Sequence, residues 1–143
     1  MIYTPLTKKA YKVAFEAHRD QTDKTGLPYI HHPLHLAAQM TDEVTTCVAL
    51  LHDVVEDSDM TFEKLEELGF GGEIVAALRL LTHDGAVPYM DYVREIKKNP
   101  TAAKVKRADL MHNSDMTRLD VVTERDLERA EKYRKALEIL DKE

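Results

Sequence analysis

The sequence predicts an all-α fold, a bundle of about seven to eight helices. Apolar residues recur at three- and four-residue intervals along most of the chain. Only five Gly and five Pro are present, too few for the many turns of an all-β fold. No stretch reads as a strand.

The helices follow in order. Thr4-Pro5 reads as an N-cap with proline at the first helical position. Leu6, Ala10, Val13, Ala14 and Ala17 carry that helix to about His18. Arg19 to Pro28 is polar, contains Gly26 and Pro28, and reads as a loop. A short helix runs from Pro33 to Met40. Thr41-Asp42 caps the next, which the face Val44, Cys47, Val48, Leu51 and Val55 extends to about Glu56. Asp57 to Thr61 is a turn, and Thr61 caps a short helix through Leu68. Gly69, Gly71 and Gly72 then punctuate the chain. Ile74, Val75, Leu78 and Leu81 mark a helix ending near His83, and Asp84 to Pro88 is a loop. Tyr89, Val93 and Ile96 predict a helix ending at Asn99-Pro100. Ala102, Val105, Ala108 and His112 share a face of the one after it. Thr123 with Asp126 forms a capping box for the last, whose stripe is Leu127, Ala130, Tyr133, Leu137 and Leu140.

With 143 residues the chain suits one domain, residues 1–143, long enough to bury a core without disulfides. Cys47, the single cysteine, lies in an apolar run and reads as a core residue rather than a catalytic thiol. No segment approaches the roughly 18 apolar residues of a membrane span, and the N-terminus lacks the pattern of a signal peptide; a cytoplasmic location is expected. The 20 basic and 26 acidic residues leave a net charge of −6, which argues against a nucleic-acid binder. A small phosphorylated substrate remains compatible, because a metal and a few local lysines can supply positive charge. The oligomeric state is not encoded in any pattern found.

Chemistry concentrates in Val48-Ala-Leu-Leu-His52-Asp53-Val-Val-Glu56-Asp57. Titratable groups ending an apolar helix are costly to bury unless they are paired or bind a metal. On a continuous helix His52 and Glu56 lie four apart, and Asp53 lies three and four from Glu56 and Asp57. Imidazole with carboxylates suits manganese, iron or zinc; the plainer alternative is a solvated helix end with capping acids. Further ligands stand in Pro28-Tyr-Ile-His31-His32-Pro33 and in Lys106-Arg-Ala-Asp109-Leu-Met-His112-Asn113. Asp109 shares the stripe of Val105 and should point inward, and Asn113 lies one turn on.

The spaced set His32, His52-Asp53 and Asp109 resembles the H…HD…D pattern of the HD superfamily of metal-dependent phosphohydrolases. More narrowly, Ala17-His18 to Pro33, Ala49 to Asp57 and Lys106 to Asn113 resemble the hydrolase domain of the RelA/SpoT-type alarmone enzymes. The likeness covers about residues 10–120. It implies a compact HD-domain helical bundle, with His32, His52, Asp53 and Asp109 as metal ligands. Glu56 and Asp57 match the acidic pair that positions or activates the attacking water, and Asn113 matches an Asn near the nucleotide. It implies a divalent metal, generally manganese, and removal of pyrophosphate from the 3′ position of guanosine tetra- and pentaphosphate. The chain's end soon after this region predicts a stand-alone hydrolase without a synthetase half. Lys24 and Lys106 are candidates to offset substrate phosphate charge. Tyr89 or Tyr92 is a candidate to stack on a base, and His18 to support the loop after it.

Two positions depart from that pattern. Asp23 stands where the family places an Arg against the guanine, and Leu110 where an Arg commonly follows the third-block Asp. Both bear on base recognition and leave the metal elements intact. A second function is therefore carried beside the first: the same hydrolase acting on another base, a phosphorylated dinucleotide or a nucleoside monophosphate. A third, a nucleotide-binding module without catalysis, is disfavoured by the Glu56-Asp57 pair.

Overall fold

A computed structural model describes residues 1–142. Among these the chain forms nine α-helices and one 3-10 helix: α1 Pro5–Ala17, α2 His31–Ala37, α3 Glu43–Leu51, α4 Val54–Asp57, α5 Phe62–Glu67, α6 Gly72–Leu81, α7 Tyr89–Lys97, α8 Pro100–Asn113, the 3-10 turn Met116–Arg118 and α9 Glu124–Lys142. The all-α expectation holds; the sole β feature among the described residues is an isolated bridge between Thr22 and Pro28, pinching the α1–α2 loop. No helix is long and apolar enough to cross a membrane.

Local chemistry accounts for most helix ends. The Thr4 hydroxyl accepts from the Thr7 backbone N–H while the Thr7 hydroxyl accepts from the Thr4 N–H, closing a box at α1. Asp42 caps α3 and Thr61 caps α5 through their side chains. At α9 the Asp126 carboxylate accepts from the Thr123 N–H and hydroxyl, completing the expected box. After α5 the chain reverses at Gly69, whose φ of 100° suits a residue without Cβ.

α3 is the central element. Seven consecutive residues, Thr45 through Leu51, are buried, so this helix is enclosed on all sides rather than amphipathic. It packs against α1, α2, α6 and α8, and α9 covers α7 and α8. Leu36, Cys47, Val48, Leu50, Leu78, Val93, Ile96, Val105 and Leu110 belong to one continuous core.

Three expectations need correction. α2 begins at His31, two residues before Pro33, and ends at Ala37. Leu127 is exposed, while Tyr133, Leu137 and Leu140 of the expected stripe pack half-buried against the core and α9 also buries Asp126, Ala136 and Ile139. Most consequentially, the helix expected to reach Glu56 stops at Leu51 and a separate turn, α4, begins at Val54. The His52 ring nitrogen Nδ1 lies 2.7 Å from the Ala49 carbonyl. An uninterrupted helix would give that carbonyl to the Asp53 N–H. The side chain competes with the backbone for one acceptor, so His52 and Glu56 do not share a helix face.

Candidate metal centre and flanking cavities

The break after α3 sets the chemistry of His52. With Nδ1 donating to the Ala49 carbonyl, the neutral ring keeps its lone pair on Nε2. Nε2 is 2.9 Å from Asp53 Oδ2 and 3.5 Å from Asp109 Oδ1. It is nonetheless buried without a hydrogen-bond partner, because neither contact has the directionality of a bond.

α2 and α8 supply the neighbours. His32, in the first turn of α2, places Nε2 2.9 Å from Asp109 Oδ1. Its Nδ1 lies 2.7 Å from Nδ1 of His112. Asp109 does point inward: it is 7% exposed, and Oδ2 accepts from Lys106 at 3.1 Å while Oδ1 accepts from Asn113 at 3.0 Å. Ligand atoms of His32, His52 and Asp109 all lie within 4.8 Å of one another. Asp53 abuts this trio through its contact with His52 and accepts a short hydrogen bond from the Tyr29 hydroxyl.

Burial disfavours charge on Asp109, yet Lys106 first, then His32 and His52, hold its pKa well below the usual carboxylate range. Burial likewise raises the pKa of Asp53, but His52 outweighs it and brings the value to about 2. At His52 burial opposes the imidazolium, and Asp53 and Asp109 overcome that to raise the pKa well above normal. Two ionised carboxylates thus favour the His52 imidazolium when no ion is bound, and a divalent cation would take the place of that proton at Nε2. Two imidazoles and a carboxylate grouped this closely, with His52 Nε2 unpartnered, fit a divalent cation.

The other predicted residues divide between two cavities. One, of about 250 Å³, opens beside the trio and is lined by Asp53, Glu56, His83, Lys106 and Lys132 among others. Glu56 Oε1 accepts from the His83 N–H at 2.7 Å, and burial raises its pKa. Burial followed by the Asp53 charge raises that of Asp57 too, but Asp57 does not line this cavity. Its backbone carbonyl accepts from Gln21, whose Oε1 is 2.8 Å from His18 Nδ1. His18 thereby braces the loop as expected. Tyr89 and Tyr92 flank Lys106 on this side, away from the second cavity.

That second cavity, of about 280 Å³, is lined by Asp23, Lys24, Met116, Arg118, Leu119 and Arg129 among others, and it shares Tyr29, Asn113 and Tyr133 with the first. Burial lowers the pKa of Lys24 there. Leu110 lies in neither cavity and is fully buried in the core.

Four contributors were missed in the sequence: Tyr29, His83, Arg118 and Lys132. The block Pro28 to Pro33 contained a signal for Tyr29. Lys132 reads as one more charge on a solvated helix, yet its Nζ sits 4.0 Å over the Tyr89 ring. Arg118 had no local signal at all.

Comparison with known proteins agrees with this architecture. The profile of the HD-domain family matches residues 10–139. A zebrafish (Danio rerio) protein named guanosine-3′,5′-bis(diphosphate) 3′-pyrophosphohydrolase MESH1 is 35% identical over 123 residues, covering 77% of this chain and 68% of that protein. The guanosine-3′,5′-bis(diphosphate) 3′-pyrophosphohydrolase of Aquifex aeolicus is 40% identical over 86 residues, covering 57% of this chain. The GTP pyrophosphokinase rsh of Brucella melitensis is 43% identical over 81 residues, covering 54%. The matches span only 12% and 11% of those two bacterial proteins. A solved structure described as a metazoan ortholog of SpoT that hydrolyzes ppGpp superposes with a TM-score of 0.75 at 27% identity, covering 98% of this chain and 85% of that one. The family match spans nearly the whole helical bundle and includes His32, His52, Asp53 and Asp109, so the chain belongs to the HD-domain family.

Proposed function

We propose that the chain, acting as one phosphohydrolase domain, removes the 3′-pyrophosphate from guanosine tetra- or pentaphosphate with a divalent metal, manganese being the expected ion. The unpartnered Nε2 of His52, facing Asp109 and Asp53 beside His32, carries the reading. Relatives named for this activity support it. His32, His52, Asp53 and Asp109 would hold the ion. When bound, a divalent ion there would lower the pKa of water and polarise a phosphoryl oxygen.

The chain's own residues do the rest. Glu56, in the metal-side cavity with its pKa raised by burial, is placed to take a proton from the attacking water. Asp57 supports that role from outside the cavity. Lys106, kept cationic by Asp109 against burial, and Lys132 offset the charge of the pyrophosphate. Asn113, common to both cavities, stands between the scissile end and the base. Lys24 faces the nucleoside side. Water is consumed across the 3′ phosphoester, giving pyrophosphate and the nucleoside 5′-diphosphate from the tetraphosphate or the 5′-triphosphate from the pentaphosphate.

A second reading keeps the reaction and changes the base; Asp23 in the second cavity favours weighing it. The test is product analysis with manganese and a panel of nucleotides. Release of pyrophosphate from guanosine tetraphosphate supports the first reading. Cleavage of another nucleotide with that substrate untouched supports the second, and no turnover of any of them defeats both.

A further inference from the structure

Asp23 and Arg118 are 95 residues apart in sequence and meet in the cavity beyond Tyr29, with Arg118 Nη2 3.4 Å from Asp23 Oδ2. The side chains are 7% and 18% exposed respectively. Asp23 is spent on structure. Its Oδ1 accepts from the Thr25 N–H and hydroxyl and from the Leu27 N–H, and Oδ2 receives Arg118. It holds the loop and has no free edge for a ligand. Arg118 differs. Nη1 donates to the His112 carbonyl at 2.8 Å and Nη2 to Asp23, so two of its five N–H donors are used. The guanidinium is clamped from both sides while lining the cavity. Met116 and Leu119 add apolar surface, and Tyr29 and Tyr133 stand where the cavity meets the metal side. Arg129 is the poorer candidate: its side chain is 36% exposed and it pairs with Asp126 at 3.5 Å.

We infer that Arg118, positioned by Asp23, reads the nucleobase of the substrate and selects guanine over adenine. This rests on the nucleotide-hydrolase reading above. A fixed guanidinium complements the O6 and N7 acceptors on one edge of guanine. Adenine offers N7 beside an amino donor, which opposes an N–H donor. Arg118 is the specificity-determining residue. Asp23 is a positioning residue that acts through it.

The test is equilibrium binding of guanosine 5′-diphosphate and adenosine 5′-diphosphate to the full chain by calorimetry. The two ligands share ribose and phosphates, so their ratio isolates the base. The wild type should favour the guanosine ligand at least tenfold. Arg118→Met should bring the ratio close to one by weakening that ligand, and Arg118→Lys, which keeps the charge and loses the fork, should fall between. Asp23→Asn, which keeps an acceptor oxygen for the loop, should reduce the ratio several-fold with an unchanged circular dichroism spectrum. Equal binding of the two ligands by the wild type overturns the assignment, as does wild-type discrimination in Arg118→Met or Arg118→Lys. If discrimination depends on Arg118 but guanosine tetraphosphate is not cleaved, the base site stands and the proposed reaction falls.

Discussion

His112 lies parallel to His32, their ring planes 7° apart, with the two Nδ1 atoms 2.7 Å from each other. One nitrogen must donate and the other accept. Burial first, then Arg118 and the neighbouring histidines, depress the His112 pKa to about 3, so His112 is neutral and can accept. In the proposed metal-bound state His32 would then carry its proton on Nδ1 and turn the Nε2 lone pair, rather than a proton, toward an ion beside Asp109. Groups that orient a ligating histidine in this way are typically worth about 10–100-fold in metal affinity. His112→Ala should weaken manganese binding by a factor in that range, measured by competition with a chelating dye. His112→Asn, which restores an acceptor, should recover part of the loss. Wild-type affinity in both variants would remove His112 from the metal centre.

Asp53 and Glu56 are close in sequence, and the proposed function gives them different tasks. Asp53→Ala should remove metal and turnover together, as read by metal analysis and pyrophosphate release. Glu56→Gln keeps an oxygen to accept the His83 N–H but cannot take a proton. It should retain metal and lose about 10²- to 10⁴-fold in kcat. A metal-free, fully active Asp53→Ala protein would contradict the mechanism.

Lys106 and Asp109 form a buried ion pair with side chains 12% and 11% exposed. Removing one member of such a pair strands the other charge and can cost about 3 kcal/mol. Lys106→Met should lower the melting temperature of the metal-free protein, and manganese should restore part of it by supplying the missing charge. Equal destabilisation with and without metal would show that Asp109 does not face the ion.

Cys47 is fully buried, and burial followed by the Glu43 charge raises its thiol pKa to about 12. At pH 8 the thiol is protonated as well as inaccessible, so reaction with a disulfide reagent should wait on unfolding. Rapid labelling of the native protein would refute its assignment to the core.

The candidate metal ligands were legible because they occur in recognisable blocks. His32, His52 and Asp109 are brought together as the resemblance implied, while Asp53 stands against them through His52. On a continuous helix His52, Asp53, Glu56 and Asp57 would present one face. The His52 bond to Ala49 ends that helix early, and only Glu56 lines the metal-side cavity. Side-chain competition for a single carbonyl leaves no trace in apolar periodicity.

Helices, caps and ligand blocks were determined by the sequence itself, because each depends on residues within about one helical turn of one another: Thr4 with Thr7, Asp42 with Thr45, Thr123 with Asp126. The tertiary structure alone decided which charges share a cavity. Arg118 reaches Asp23 across 95 residues, and Lys132 settles over Tyr89 from another helix. Such pairings follow from how α1 and α8 pack against the buried α3 and α9 against α7 and α8, and in a linear sequence those residues look no different from solvated surface charges.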